Sequence, residues 1–117
     1  MKYYKRFYYN ADFQWHEMDI SLEMGDLQVF IPREVSLPLY ELHERLLAIY
    51  QWLRRNKQKI QAFCSDKLDE SPAPALLAVS IELHHCFELL FQQPSSQKMI
   101  LLNFNRQFEL VDFQIDA

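Results

Sequence analysis

Apolar residues in the first third of the chain recur with period two, the spacing of a strand with one face buried. Tyr3, Lys5, Phe7 and Tyr9 share one face; Tyr4, Arg6 and Tyr8 share the other. Asn10-Ala11-Asp12 supplies turn chemistry, and Phe13 and Trp15, then Met18, Ile20 and Leu22, predict a second strand. The apolar phase changes near His16, where a bulge is expected. Gly25-Asp26 places glycine at the first central position of a type II′ turn. Leu27, Val29 and Ile31 then alternate with Gln28 and Phe30 until Pro32. The pattern predicts an antiparallel meander over about residues 2–31.

The period then changes to that of a helix. Leu39, Leu42, Leu46, Ile49, Leu53, Asn56, Ile60 and Phe63 are spaced alternately three and four apart, a heptad seam with one polar member. Ser36 can cap its start, and Pro38 is tolerated only in a first turn, where no intrahelical bond is lost. A helix over about residues 37–65 follows. Ser71-Pro72 resembles a cap and first helical position, and Leu76, Val79, Leu83, Cys86 and Leu90 repeat the seam spacing. These predict a second helix over about 72–92, antiparallel to the first and apolar nearly all round. Gln92-Gln93-Pro94-Ser95-Ser96 breaks it. Met99–Phe104 and Gln107–Ile115 read as two strands (about 98–116) turned at Asn105-Arg106, with a bulge where Phe108 and Leu110 fall out of phase with Val111, Phe113 and Ile115.

The expected fold is therefore one α+β domain spanning residues 1–117: an antiparallel sheet from the N-terminal meander and a C-terminal hairpin, packed on a long antiparallel helical hairpin. The heptad seam leaves room for a homodimer if one face stays apolar. Composition supports this picture, because 117 residues with 50% hydrophobic and 15% aromatic content can bury a core. The single glycine, Gly25, excludes phosphate-cradling loops, which need several glycines where backbone approaches the ligand.

The net charge of −4 is segregated along the chain. Residues 1–11 carry +3, residues 12–44 carry −7, residues 45–67 carry +5 and the remainder −5. Segregation of this kind governs partners and association rates rather than fold. Duplex DNA is disfavoured, since its binding domains are usually net basic. Met1–Tyr9 lacks the pattern of a signal peptide, and Ala73–Leu83 is too short to span a bilayer, so no membrane association is expected. Cys64 and Cys86 then read as buried thiols, and the expected compartment is the cytoplasm.

Candidate chemistry is sparse. Ser80, His84 and Glu88 would share one stripe of the second helix, but mid-helix N–H groups are already used and offer no oxyanion hole. His84 and His85, about 100° apart on a helix, cannot easily clasp one ion. The two cysteines lack the paired spacing of a zinc site. No catalytic residue, metal or cofactor is therefore expected, and the chain does not read as an enzyme. Asn56 would either bond His84 across the helical hairpin, fixing its register, or face water. The run Lys2-Tyr3-Tyr4-Lys5-Arg6-Phe7-Tyr8-Tyr9, extended by Arg54, Arg55, Lys57 and Lys59, could stack and neutralise single-stranded nucleic acid.

The weightiest feature is the acidic N-terminal hairpin. Asp12, Glu17, Asp19, Glu23 and Asp26 lie within fifteen residues, interspersed with Phe13, Trp15, His16 and Met18. Acids beside aromatic anchors make a docking surface for a basic protein. The candidate partner-binding residues are Asp12, Trp15, Glu17, Asp19, Glu23 and Asp26. The expected function is a small protein-binding module that neutralises or escorts a basic partner such as a toxin domain, most like a bacterial toxin-immunity protein. A secretion chaperone fits the same composition, and the single-stranded nucleic-acid binder is the other alternative.

Overall fold

In the computed structural model, residues 6–10, 15–22, 25–32, 39–69 and 73–116 are described. The alternating N-terminal third forms three strands, β1 (Arg6–Asn10), β2 (Trp15–Leu22) and β3 (Gly25–Pro32). They pair as an antiparallel meander, with Phe7 opposite Met18 and Met18 opposite Val29. Two details differ from expectation. Pairing runs without a register shift from Trp15 to Leu22, so the phase change at His16 is not a bulge. Gly25 and Asp26 are paired strand residues, opposite Leu22 and Ser21, and so are not the central pair of the expected turn. The proposed caps at Ser36 and Ser71 also lie outside them.

The seam is realised in one long helix, α1 (Leu39–Leu68), 30 residues and about 45 Å in length. Asp69 ends it in the left-handed region at φ 54°, its N–H donating to the Asp66 carbonyl at 3.3 Å. Leu46, Ile49, Leu53, Ile60, Cys64 and Leu68 are all buried. Their partner is not a second helix.

The segment expected as a helix over 72–92 is a β-hairpin. It comprises β4 (Ala75–Ile81), a tight connection through Leu83–His85, and β5 (Phe87–Gln92). Two further strands follow, β6 (Met99–Phe104) and β7 (Leu110–Asp116). The strand order is β1-β2-β3-β4-β5-β6-β7, antiparallel throughout except for the parallel β3–β4 pair. A parallel pair needs a long crossover, and α1 supplies it. The expected helical hairpin is thus corrected to one helix on a mixed sheet; the α+β class stands. The reason lies in the apolar run itself. Apolar residues fall both on the buried positions of these strands and off them, where Leu77 is exposed and Leu90 half-buried, so the segment satisfies a helical spacing as well as a strand. Placement between β3 and β5 pairs both edges of β4, which local sequence could not reveal.

One sheet face takes the seam. Val29 and Ile31 of β3, Val79 and Ile81 of β4, Phe87, Leu89 and Phe91 of β5, and Ile100, Leu102 and Phe104 of β6 form one core with the helix. At its centre Trp52 meets Phe87 and Phe104 edge-on, with ring centroids 5.8 and 5.1 Å away, and stacks on Phe108 at 5.3 Å. Phe87 and Phe104, opposite each other on adjacent strands, stack at 5.0 Å. Asn56, the polar seam member, donates from Nδ2 to the Trp52 carbonyl at 2.9 Å, so its hydrogen bond stays within the helix and does not reach His84.

A chain with one glycine must build its turns from residues that resist them. The β4–β5 hairpin closes with Cys86 N–H donating to the Leu83 carbonyl at 3.2 Å, while His84 and His85 both adopt positive φ, 59° and 62°. This is a type I′ arrangement, for which Asn-Gly is the preferred pair. The β6–β7 connection places Phe108 at φ 63°, and Asn105 Oδ1 accepts from the N–H groups of Gln107 and Glu109 at 2.9 and 3.0 Å. Phe108 is held there by its ring contacts with Trp52 and Phe87. The expected bulge in this hairpin is present, a register shift at Asn103/Phe104 opposite the start of β7.

Two stability predictions follow from the packing. Phe87→Ala removes a fully buried ring and should destabilise the fold by about 3–5 kcal/mol in chemical denaturation. His84→Asn with His85→Gly should raise stability by about 1 kcal/mol or more, read as a melting temperature higher by several degrees.

Candidate functional site

The sheet face opposite α1 carries a polar row. Along one line of register Glu17 lies opposite Phe30, Phe30 opposite Ser80, Ser80 opposite Glu88, Glu88 opposite Asn103, and Asn103 opposite Asp112. Directly opposed residues share a sheet face. Strand alternation sends their neighbours Val79, Leu89 and Leu102 under the helix, leaving Ser80, Glu88 and Asn103 half-buried and Asp112 exposed on the other side. Leu90, Leu101 and Met99 lie beside them, also half-buried, so the row is set in an apolar surround.

The carboxylates of this row are crowded. Ser80 Oγ donates to Glu82 Oε1 at 2.8 Å. Asn103 Nδ2 donates to Asp112 Oδ1. Burial pushes the Glu88 carboxyl from 4.5 up to about 7, aided by a hydrogen bond with the Glu82 side chain and by the negative charges of Glu82 and Asp112. No cation is among the groups that shift it. Glu82 and Glu88 thus share a half-buried surface, and the exposed Asp112 adds negative charge beside them, an electrostatic condition that a cationic partner relieves.

The expected partner-binding residues divide into two groups. Asp12 and Glu23 lie outside the described residues. Trp15, Glu17 and Asp19 occupy every second position of β2, and Asp26 stands opposite Ser21 at the start of β3. The register sets Glu17 in line with the Ser80–Asp112 row and Asp19 in line with Gln28, Ala78, Leu90, Leu101 and Gln114. Glu82, Glu88, Asn103 and Asp112 were not in the expected set. Ser80 and Glu88 do meet, but as cross-strand partners rather than as a helical stripe with His84, which sits exposed at the hairpin tip. An alternating strand reading of residues 75–92 would have put Ser80 and Glu88 at equal distances from the turn.

A second polar feature lies at the ends of β4–β5 and β6–β7. Arg45 of α1 donates from its guanidinium to the His85 carbonyl, steadying the strained turn. Its guanidinium lies 4.9 Å from the Phe108 ring centroid and 5.5 Å from that of Phe87. Burial holds Arg45 below its ordinary pKa, and the charge of Arg106 adds in the same direction. Both cysteines are free thiols. Cys64 is fully buried in the core, and burial pushes its pKa up to about 12, so it stays a neutral hydrophobe. Among the described residues no three His, Cys, Asp or Glu side chains are arranged to hold a metal ion, and no helix is long and apolar enough to cross a membrane.

No family model matches the chain, and neither a curated protein nor a solved structure is similar to it. The reading of the site rests on its own chemistry.

The raised Glu88 pKa makes a signed prediction. Between about pH 4.5 and 7 the folded state binds a proton that the unfolded state has released. Stability therefore falls as pH rises through that window. The stabilising contribution is complete below about pH 4.5 and gone above about 7. Thermal melts at pH 5 and pH 8 should show a drop that Glu88→Gln reduces, the variant gaining chiefly at pH 8.

Proposed function

We propose that this chain is a protein-binding module whose helix-free sheet face receives a basic protein, neutralising or escorting it in the manner of a bacterial toxin-immunity protein. The observation that carries this reading is the row Ser80, Glu88, Asn103 and Asp112, with Glu82 beside it and Glu17 in register. An acidic, half-buried face flanked by Leu90, Leu101 and Met99 offers both steering charge and apolar contact. A lysine or arginine side chain from a partner would relieve the crowding that raises the Glu88 pKa. The module acts by occupancy rather than by catalysis, with Ser80 engaged to Glu82 and His84 remote at the turn tip. A secretion chaperone would use the same face for an unfolded basic cargo.

A second reading rests on the helix. Arg54, Arg55, Lys57 and Lys59 are all exposed on α1, a cationic stretch suited to single-stranded nucleic acid.

The two readings separate in one set of measurements. Immobilised protein should retain from its native cell a protein of pI above about 9, released by salt. The combined variant Glu17→Lys, Asp19→Lys, Glu23→Lys and Asp112→Lys should lose that retention and slow association at least tenfold. Equal retention by the variant, or an acidic partner, would overturn the proposal. Salt-sensitive retention of single-stranded oligonucleotide, lost on replacing Arg54 and Arg55 by Glu, would favour the second reading.

A further inference from the structure

The outer strand β7 ends the sheet, and its seven residues are all exposed. Val111, Phe113 and Ile115 are 65%, 38% and 45% accessible, and Leu110 is 39% accessible. Strand edges are ordinarily guarded by lysine, proline, an inward charge or a covering segment, because unpaired N–H and C=O groups recruit other strands. Residues 110–116 contain neither lysine nor proline, and the single bulge lies at their start. Phe113 is edge-on to Phe63 of α1 at 5.4 Å, and Lys67 lies over both rings at 5.4 and 5.5 Å. The apolar edge is thus continuous with the helix rather than a stray patch.

We infer that β7 pairs antiparallel with β7 of a second copy, making a two-fold dimer with one continuous sheet. The strand's own sequence selects this occupant. With Phe113 opposite Phe113, Val111 falls opposite Ile115, Asp112 opposite Gln114, and Leu110 opposite Asp116, so no acid faces an acid. Shifting the sum of paired positions by two in either direction sets Asp112 against Asp112, or Asp112 against Asp116. Shifting it by one sets Glu109 against Asp116, or acids against apolar residues. Like charges directly opposed destabilise a ladder, whereas apolar pairs support it. Pairing of β7 with β1 of another copy would instead propagate an open ribbon, while the isologous contact closes on itself. The two copies' Val111, Phe113 and Ile115 would line one strip between their helices. This surface differs from the α1 seam, which the sheet already occupies and which is therefore closed to self-association.

Sedimentation of the full chain tests the inference. The expected species is a dimer of about 28 kDa, twice 14.1 kDa, that persists in 0.5 M salt. The pair Val111→Lys with Ile115→Lys should be monomeric, as should Val111→Glu with Ile115→Glu, and an equimolar mixture should restore a dimer through the crossed 111–115 contacts. Should either variant fold poorly, slower amide exchange of residues 112–115 in the wild-type chain at higher protein concentration reads the same contact. A wild-type monomer up to about 200 µM would overturn the inference. So would a dimer that survives the Lys variant, oligomers that grow open-endedly, or a mixture that stays monomeric. Dissolution by salt would also overturn it, placing the acidic face against the basic helix.

Discussion

Everything in this molecule depends on the seating of one helical seam against one face of the sheet. Leu46, Ile49, Leu53, Ile60 and Cys64 cannot bury themselves within α1, and the inward residues of β3 to β6 cannot bury themselves within the sheet. Among the described residues each surface covers the other, so burial of apolar area holds the layers together. Trp52 is the centre of that contact, touching rings from β5, β6 and the β6–β7 turn at once. It ties the turn at Phe108 to the core and thereby fixes where β7 begins. Because the crossover helix also joins β3 to β4, the same contact sets the order of the strands.

A two-layer arrangement with one helix leaves the opposite face of the sheet without a partner element among the described residues. That geometric fact gives the polar row its significance. Ser80, Glu88, Asn103 and Asp112 are spread over four strands and come together only because those strands lie side by side in register. Glu88 sits in enough apolar company to disfavour its charge, with two acids adding to the penalty. Cations meanwhile lie exposed on the outer side of the helix. The segregation visible along the chain becomes a segregation of surfaces.

Scarcity of glycine shapes the periphery. Among the described residues, five that are not glycine, Asp69, His84, His85, Gln97 and Phe108, hold positive φ, all at turns or helix ends. Each such residue costs roughly 1–2 kcal/mol relative to glycine, and the surrounding contacts must over-determine the conformation. Arg45 performs that task at His85 and the aromatic cluster performs it at Phe108. Tight pairing of β4 with β5 and β6 with β7 offsets the strain.

The sequence by itself determined the elements whose periodicity admits one interpretation. Alternation marked β1 to β3, β6 and β7, the three-four spacing marked α1 to within a few residues, and the phase slip at Phe108 to Val111 marked a bulge. It also determined that acids cluster near the N-terminal hairpin, and the register of Glu17 shows part of that cluster in line with the row. Only the tertiary structure decided residues 75–92. Leu76, Val79, Leu83, Cys86 and Leu90 fit a helix as well as a hairpin, because apolar residues such as the exposed Leu77 and half-buried Leu90 also lie off the buried positions and blur the strand period. The choice was made by β3 and β6, which offered hydrogen-bonding edges on either side, and by a seam on α1 wide enough to cover the sheet they complete. From that choice came Asn56's bond within its own helix, the meeting of Ser80 with Glu88, and the carboxylate row itself. Contacts between residues distant in sequence create such a site, and no local pattern encodes them.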